Sequence, residues 1–574
     1  MSNRQHKIAS ILLLFIIIVV SFISIQAKNK TTREIILSAM KDEMARNMEQ
    51  LQIDNMQKPF FISYTVRDFR TMQVSATLGS ILNTDENHIR NHNVRVMVGD
   101  YKFTDENFRD SSPSGFQNTL LMGTDDLPLE DDYYGIRRAL WIATDRVYKS
   151  ASEKYERKKA ALEQQELSEE EKELEDFSKA PVVKHQAPAR KFDMDRSKWE
   201  RITREISNVF KEYPEIYSSQ TRCYFFQGDG YFINSEGTEV VQPISLVYLF
   251  IDAETQAVDG EPLRDIISYI VSTPQDLPPF NSIKQAAKDM AKQLVAMRTA
   301  PVFEDSYTGP VMFEDQSVGE IFSQQLFERA GGLLAFRTPI MAGRTPSRGG
   351  RGQSLEDKIG TRILSRDLTL KAMPTLDKFS DKNLIGSFKV DEEGVKPPQE
   401  IVLVENGILK TLLSNRTPTE KIKESNGHDR PIISFGRFAS TRLGPSVILL
   451  TSSDGRTKSD MKNELLQLAR EEGLEYAIMV RKVMSLSRPI SVYRVYVEDG
   501  KEELVRSVML GSLSVSSLRR IYSVSEEQFL YQKGGIPASY ILPQSLIFEE
   551  LEVEQEKRSY TPKLPVVSSP LLDK

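Results

Sequence analysis

Val318 to Gly332 reads VGEIFSQQLFERAGG, a short stretch whose periodicity and polar residues organise the reading of the whole chain. The stretch keeps an apolar face, with Ile321, Leu326 and Phe327 available for packing. The polar positions are Ser323, Gln324 and Glu328, and none of them is a histidine. A zinc hydrolase helix needs two imidazoles to grip the metal and a carboxylate beside the first to deprotonate its water. The next histidines along the chain are His185 upstream and His428 downstream, so no small change of register supplies such a pair.

The surroundings of this helix carry a resemblance. The segment from Gly309 through the loop AGRTPSRGGRGQSLEDKIG, then EEGVKPPQEIVLVENGILKTLLSNRTP, resembles the TldD/PmbA family, once called modulators of DNA gyrase and viewed as zinc peptidases and inactivated homologues. The resemblance extends over most of the chain after Lys30 and is strong again from LRRIYSVSEE to LEVE. In active members a His-Glu-x-x-x-His helix precedes such a loop. Placed residue by residue, the first His falls at Ser323, the Glu at Gln324 and the second His at Glu328. The family's Cys ligand would fall near Phe529, ahead of KGGIPASYILPQSL. The resemblance therefore implies a chain without metal or catalytic residues, with zinc held by an active paralogue. It also implies an α+β fold, a mixed sheet-and-helix N-terminal domain followed by a largely antiparallel β C-terminal domain.

Composition agrees with a large folded protein. At 574 residues and 40% hydrophobic content the chain can bury more than one core. A net charge of −6 without a basic excess argues against nucleic acid as a partner. The single cysteine, Cys223, excludes an intrachain disulfide and alternates with Tyr and Phe as a buried strand residue would.

Residues 1–27 read as a signal peptide or an N-terminal anchor. Arg4, His6 and Lys7 precede an apolar run from Ile8 to Ile25, and Ala27 offers a cleavage site. The run approaches the ~20 residues that span a bilayer, so membrane contact through an uncleaved segment stays open. The expected location is the periplasm or cell envelope.

Residues 31–300 are expected to form the N-terminal α+β domain. A capping box at Thr31 to Glu34 opens a helix with Ile36, Met40, Met44 and Met48 on one face. FFISYTVRDF, MQVSATLGSIL and NVRVMVGDY then read as three strands. His88 and His92 share a strand face at a separation of about 13 Å, too far for one ion. A charged helical insertion and linker near 135–190 follows, with Leu140, Ala143, Val147 and Ala151 packed, a solvated second half after Tyr155, and His185 in the linker. CYFF, YFIN and LVYLFIDA, separated by QGDG and NSEG, predict two hairpins.

Residues 301–556 are expected to be the β-rich C-terminal domain. Asn406-Gly407 and Asp499-Gly500 predict two-residue hairpin turns, and SDMKNELLQLAREEG predicts a helix capped by Ser459 and ended by Gly473. His428-Asp429 reads as a loop pair, with an acid/base or metal role as the competing possibility. Residues 557–574, containing Pro562, Pro565 and Pro570, read as an exposed tail. Arg344, Arg348 and Arg351 form a weak candidate for binding a carboxylate, because guanidinium pairs with it in bidentate fashion.

Phosphate-loop, nucleophile-elbow, Cys-x-x-Cys and dinucleotide motifs are absent from the sequence. The leading expectation is an exported, non-catalytic supporting subunit of a peptide-degrading or peptide-processing complex with a zinc-bearing TldD-type paralogue, with unfolded peptides as a further candidate partner. The alternatives are a metallopeptidase with non-standard ligands, Glu328 or His428 among them, and a stand-alone peptide-binding envelope protein.

Overall fold

The computed structural model describes residues 31–109, 124–163, 173–190, 192–328, 332–341, 354–434, 437–557, 565 and 567–573. The N-terminal segment, Arg344, Arg348, Arg351 and half of the tail fall outside them. Pro570–Asp573, within the tail, forms one short helical turn.

The first half is built on long strands. β1 (Pro59–Thr77) and β2 (Ser80–Val98) form one antiparallel hairpin, so the three expected runs are two strands. The reversal is at Leu78 and Gly79, both in the left-handed region, which suits a tight hairpin turn. β3 (Ser218–Asn234) pairs with β1 on one side and with β4 (Glu239–Gln256) on the other, and β5 (Pro262–Val271) pairs with β4. The expected turn at QGDG is absent, because those residues run through the middle of β3. Gly228 is needed for close approach: a Cβ there would sit 2.1 Å from the Asp68 carbonyl oxygen. The NSEG turn does occur, between β3 and β4.

One face of this sheet carries four helices. α1 (Thr32–Gln50) has its capping box in place, and Ile36, Met40 and Met44 are buried against Ile62, Tyr64 and Val66. α2 (Tyr133–Glu163) packs beside it through Ile136, Leu140 and Ala143. α3 (Arg196–Ser207) and α4 (Phe280–Met297) cover the other end of the same face, over Met72, Val74, Cys223 and Phe225. The second half of α2 is not wholly solvated. Lys158 is 1% exposed, pairs with Asp176, and donates to the carbonyls of Thr104 and Glu106 at 2.9 and 2.6 Å. A long amine can reach buried oxygens that a sequence pattern does not reveal. The linker also contributes: Lys184–Gln186 adds a parallel edge strand to β4.

The second half is a two-sheet sandwich. One sheet contains β6 (Tyr307–Glu314), which lies between β10 (Tyr476–Ser485), parallel to it, and the antiparallel β14 (Ser545–Gln555). The other sheet contains β7 (Leu368–Ala372), β8 (Ile401–Glu405), β9 (Val447–Ser452), β12 (Gln528–Lys533) and β13 (Ala538–Pro543). α5 (Gln316–Ser323) lies between the sheets and contributes Val318, Ile321 and Phe322 to the shared core. α6 (Lys458–Glu471) covers the outer face of the β6 sheet. Its cap is Thr457 rather than Ser459, with the Thr457 hydroxyl accepting from the Asp460 amide.

Asn406 and Gly407 form the expected two-residue turn. The Asp499-Gly500 turn is wider. β11 (Arg488–Tyr496) ends five residues before its partner strand resumes at Glu502, and only Gly500 is left-handed there.

The bare face of the first sheet meets the sandwich. Phe69, Tyr224, Phe226, Leu246 and Tyr248 pack on Ile385 and Ile433. Arg416 locks the contact: it is fully buried, donates from both terminal nitrogens to Glu236 at 2.7 Å, and stacks 3.9 Å over Phe177.

Candidate functional site

α5 does not continue as an α-helix past Ser323. Residues Gln324–Glu328 form a π turn, in which hydrogen bonds span five residues instead of four. Five residues are about 1.4 turns of an α-helix, which would leave positions 323 and 328 about 140° apart. The π turn removes that offset and brings Ser323 and Glu328 to one side. The widened turn, not the spacing in the sequence, is what provides the shared side.

A lysine occupies that side. Lys533, at the end of β12, places its ammonium 2.7 Å from Glu328 Oε1, 2.9 Å from Glu320 Oε2 and 3.2 Å from Ser323 Oγ. Gln324 Nε2 donates to Glu320 Oε2 at 2.7 Å, and the Tyr531 hydroxyl donates to the other oxygen of Glu320. The Tyr531 ring lies over Gly319, where a Cβ would come within 2.4 Å of it. Burial, followed by Glu320, raises the Tyr531 pKa well above its ordinary value, so the phenol keeps its proton and remains a donor. Phe529, the position expected to match the Cys, packs instead on the main core. The strand residues that reach the helix are Tyr531 and Lys533.

The donor set does not suit a zinc ion. Two carboxylates, a hydroxyl and an amide around an ammonium lack imidazole and thiolate, and the lysine already supplies the charge that the carboxylates balance. Among the described residues no group of three or more His, Cys, Asp or Glu side chains could hold a metal.

The π turn opens onto a cavity of about 810 Å³ between the two halves. Phe327 and Glu328 line one wall, Ser63, Thr65, Asn93 and Arg95 of β1 and β2 another, and Glu392, Glu393, Asn415, Thr417, Asp429 and Arg442 a third. Arg95 spans the walls, donating to Glu106 at 2.6 Å and to Glu393 at 2.7 Å. Arg67 pairs with Glu392. Burial, then the neighbouring Glu393 charge, raises the Asp429 pKa to about 8. Arg337 and Pro339, on the described approach to the Gly/Arg loop, also line this space.

Among the described residues no histidine lines the cavity. His428 is fully buried, with Nδ1 3.0 Å from the Asn426 carbonyl oxygen and Nε2 3.1 Å from Ser446 Oγ. Burial, then Arg430, lowers its pKa to about 3, so it is a neutral core residue. His88 pairs with Asp68 at 2.6 Å, and burial lowers the pKa of His92 to about 4. Lys533, Glu320 and Arg416 escaped the sequence reading because each acts through partners far away in the chain.

Comparisons with known proteins follow this geometry. Residues 287–555 match the family model described as PmbA/TldA metallopeptidase C-terminal domain. A stretch of 98 residues is 39% identical to a protein named Metalloprotease from Methanothermobacter thermautotrophicus, covering 16% of this chain and 19% of that protein. The chain thus spans about a fifth of the length of that curated relative. Among solved structures, a putative modulator of a DNA gyrase from Thermotoga maritima is 14% identical, with 90% of this chain and all of that one covered at a TM-score of 0.55. TldE from Thermococcus kodakarensis is also 14% identical, with the same coverage and a TM-score of 0.54. A putative modulator of DNA gyrase from Bacteroides thetaiotaomicron is 11% identical over 91% of this chain and 98% of that one, at 0.54. These likenesses share the α+β fold described above.

Proposed function

The chain belongs to the TldD/PmbA family, and from that premise we propose that it is an exported, non-catalytic member that holds peptides for a zinc-bearing paralogue. The observation that carries this reading is Lys533. A divalent ion held by Glu320 and Glu328 would have to displace an ammonium that already bonds to both. No hydrolytic step is assigned to these residues.

The cavity supports the peptide-binding part. Its walls alternate amides, hydroxyls and paired charges with Phe61, Phe232, Phe327 and Phe336, which suits an extended backbone with mixed side chains. Export is supported by the basic and apolar sequence of residues 4–27.

The test is the zinc content of the purified protein, alone and after co-expression with a paralogue that retains the His-Glu-x-x-x-His helix, together with hydrolysis of unfolded peptides. Zinc and hydrolysis only in the co-purified pair support the supporting-subunit reading. Stoichiometric zinc in the isolated chain overturns it. Peptide binding with neither zinc nor a partner would place the stand-alone binding protein first.

A further inference from the structure

α2 carries a second apolar stripe on the side facing away from the sheet. Ile136, Leu140 and Ala143 are buried, whereas Tyr134 is 76% exposed, Trp141 45% and Ile142 40%. Tyr134 and Trp141 are seven residues apart, so at about 100° per residue they fall on one line along the helix. Leu129, just before α2, is 49% exposed. Four of the fifteen large exposed apolar side chains among the described residues thus fall within fourteen residues of sequence. Arg138 lies on the same stripe, and Lys149 continues it, paired with Asp145 at 2.7 Å.

This stripe lies close to where residues 1–30 join the fold. The Thr32 hydroxyl donates to Asp131 at 2.7 Å, and the Tyr133 hydroxyl donates to Asp42 at 2.5 Å. The apolar run Ile8 to Ile25 is therefore followed by only six residues before the chain reaches the loop that bears Leu129. Trp and Tyr favour the headgroup level of a bilayer, where one side of the ring is apolar and the other wet. Among the described residues no helix is long and apolar enough to cross a membrane, so this face would lie on the surface.

We propose that the Tyr134–Trp141 stripe of α2, with Leu129, rests on a phospholipid surface beside the point where the N-terminal apolar segment enters the fold. The proposal rests on the export reading, in its form with an uncleaved anchor. Aromatic burial rather than charge carries the contact, since Glu130 and Asp132 flank the stripe as well as Arg138.

The test uses the two tryptophans. Trp199 is buried at 4% exposure against Phe225, so Trp199→Phe leaves Trp141 as the sole reporter. If that variant fails to fold, the difference between wild type and Trp141→Phe gives the same signal. Full-length protein is reconstituted with phosphatidylethanolamine and phosphatidylglycerol vesicles, some brominated high on the acyl chain, and the mass of its N-terminus is determined. The expected result is a blue shift of Trp141, quenching by the brominated lipid, and vesicle affinity about tenfold weaker in Leu129→Ser/Tyr134→Ser, equivalent to about 1.4 kcal/mol. A vesicle-bound chain whose Trp141 stays open to aqueous acrylamide overturns the proposal while leaving the anchor intact. A chain cut after Ala27 ends the anchor reading, and the surface proposal then stands only if the cut chain still floats with vesicles through Trp141. Shielding of Trp141 that grows with protein concentration in the absence of lipid points to a second copy and also overturns it.

Discussion

Lys533→Ala removes the only cation among the described residues that Glu320 and Glu328 share and leaves two carboxylates facing each other across the π turn. The lysine and Glu320 side chains are 23% and 13% exposed, and Glu328 is 41% exposed. Removing one partner of a fully buried pair costs about 3–5 kcal/mol, while an exposed pair contributes about 0–1 kcal/mol. The Glu320 contact lies between these limits at about 2 kcal/mol. The Glu328 contact, discounted for solvent screening, adds a few tenths of a kcal/mol at most. Gln324 and Tyr531 still donate to Glu320, which caps the loss. A total of about 2 kcal/mol lowers Tm by roughly 4–8 °C in a domain of this size. Differential scanning calorimetry of the wild type, Lys533→Ala, Glu320→Gln and the double variant provides the measurement. The pair should couple, with the double variant losing at least about 1 kcal/mol less than the sum of the singles. Strict additivity, or a Tm within 1 °C of wild type, would refute the argument that the ammonium balances these carboxylates.

Other perturbations test the rest of the structure. Arg416→Ala leaves Glu236 without its bidentate partner between the two halves and should cost about 3–5 kcal/mol, measured by urea unfolding, with earlier cleavage of the chain in limited proteolysis. Gly228→Ala drives a methyl into the Asp68 carbonyl and should cost about 3 kcal/mol or more, whereas alanine at Gly360, where nothing lies near, meets only the left-handed backbone. Asp429 binds its proton more tightly folded than unfolded, so between about pH 4 and its folded value of about 8 the native state holds the extra proton and stability falls as pH rises. Asp429→Asn should flatten that slope and raise Tm more at pH 8 than at pH 5. His428 works in the opposite direction: its folded value of about 3 means the unfolded chain binds the extra proton below pH 6.5, and stability is lost as pH falls toward 3. His428→Gln should remove that acid-side loss in a thermal melt series, although its hydrogen bond to Ser446 would be weakened at every pH.

Local chemistry was legible wherever it was decided by neighbours in the sequence. The Thr31 capping box, the Met face of α1, the Asn406-Gly407 turn and the buried Cys223 all follow from residues a few positions apart. The errors share one cause. Gly228 and Gly230 looked like turn formers but are small because β1 and the Arg67 side chain crowd them. Lys158 looked solvated because its partners, Thr104, Glu106 and Asp176, lie in other segments. At the site, the substitution of Ser323, Gln324 and Glu328 was readable, but not the π turn that aligns two of them, and not the lysine 205 positions after Glu328 that joins them.

A tethered ammonium differs from a bound metal in one physical respect: it cannot dissociate. A site that relies on a bound ion must find it wherever the protein matures, and chelation or scarcity can strip it. In this chain the positive charge between Glu320 and Glu328 arrives with translation and stays at fixed stoichiometry. The charge balance at this point of the helix-and-strand framework therefore needs no ion from the surroundings, because the group that supplies it is part of the chain.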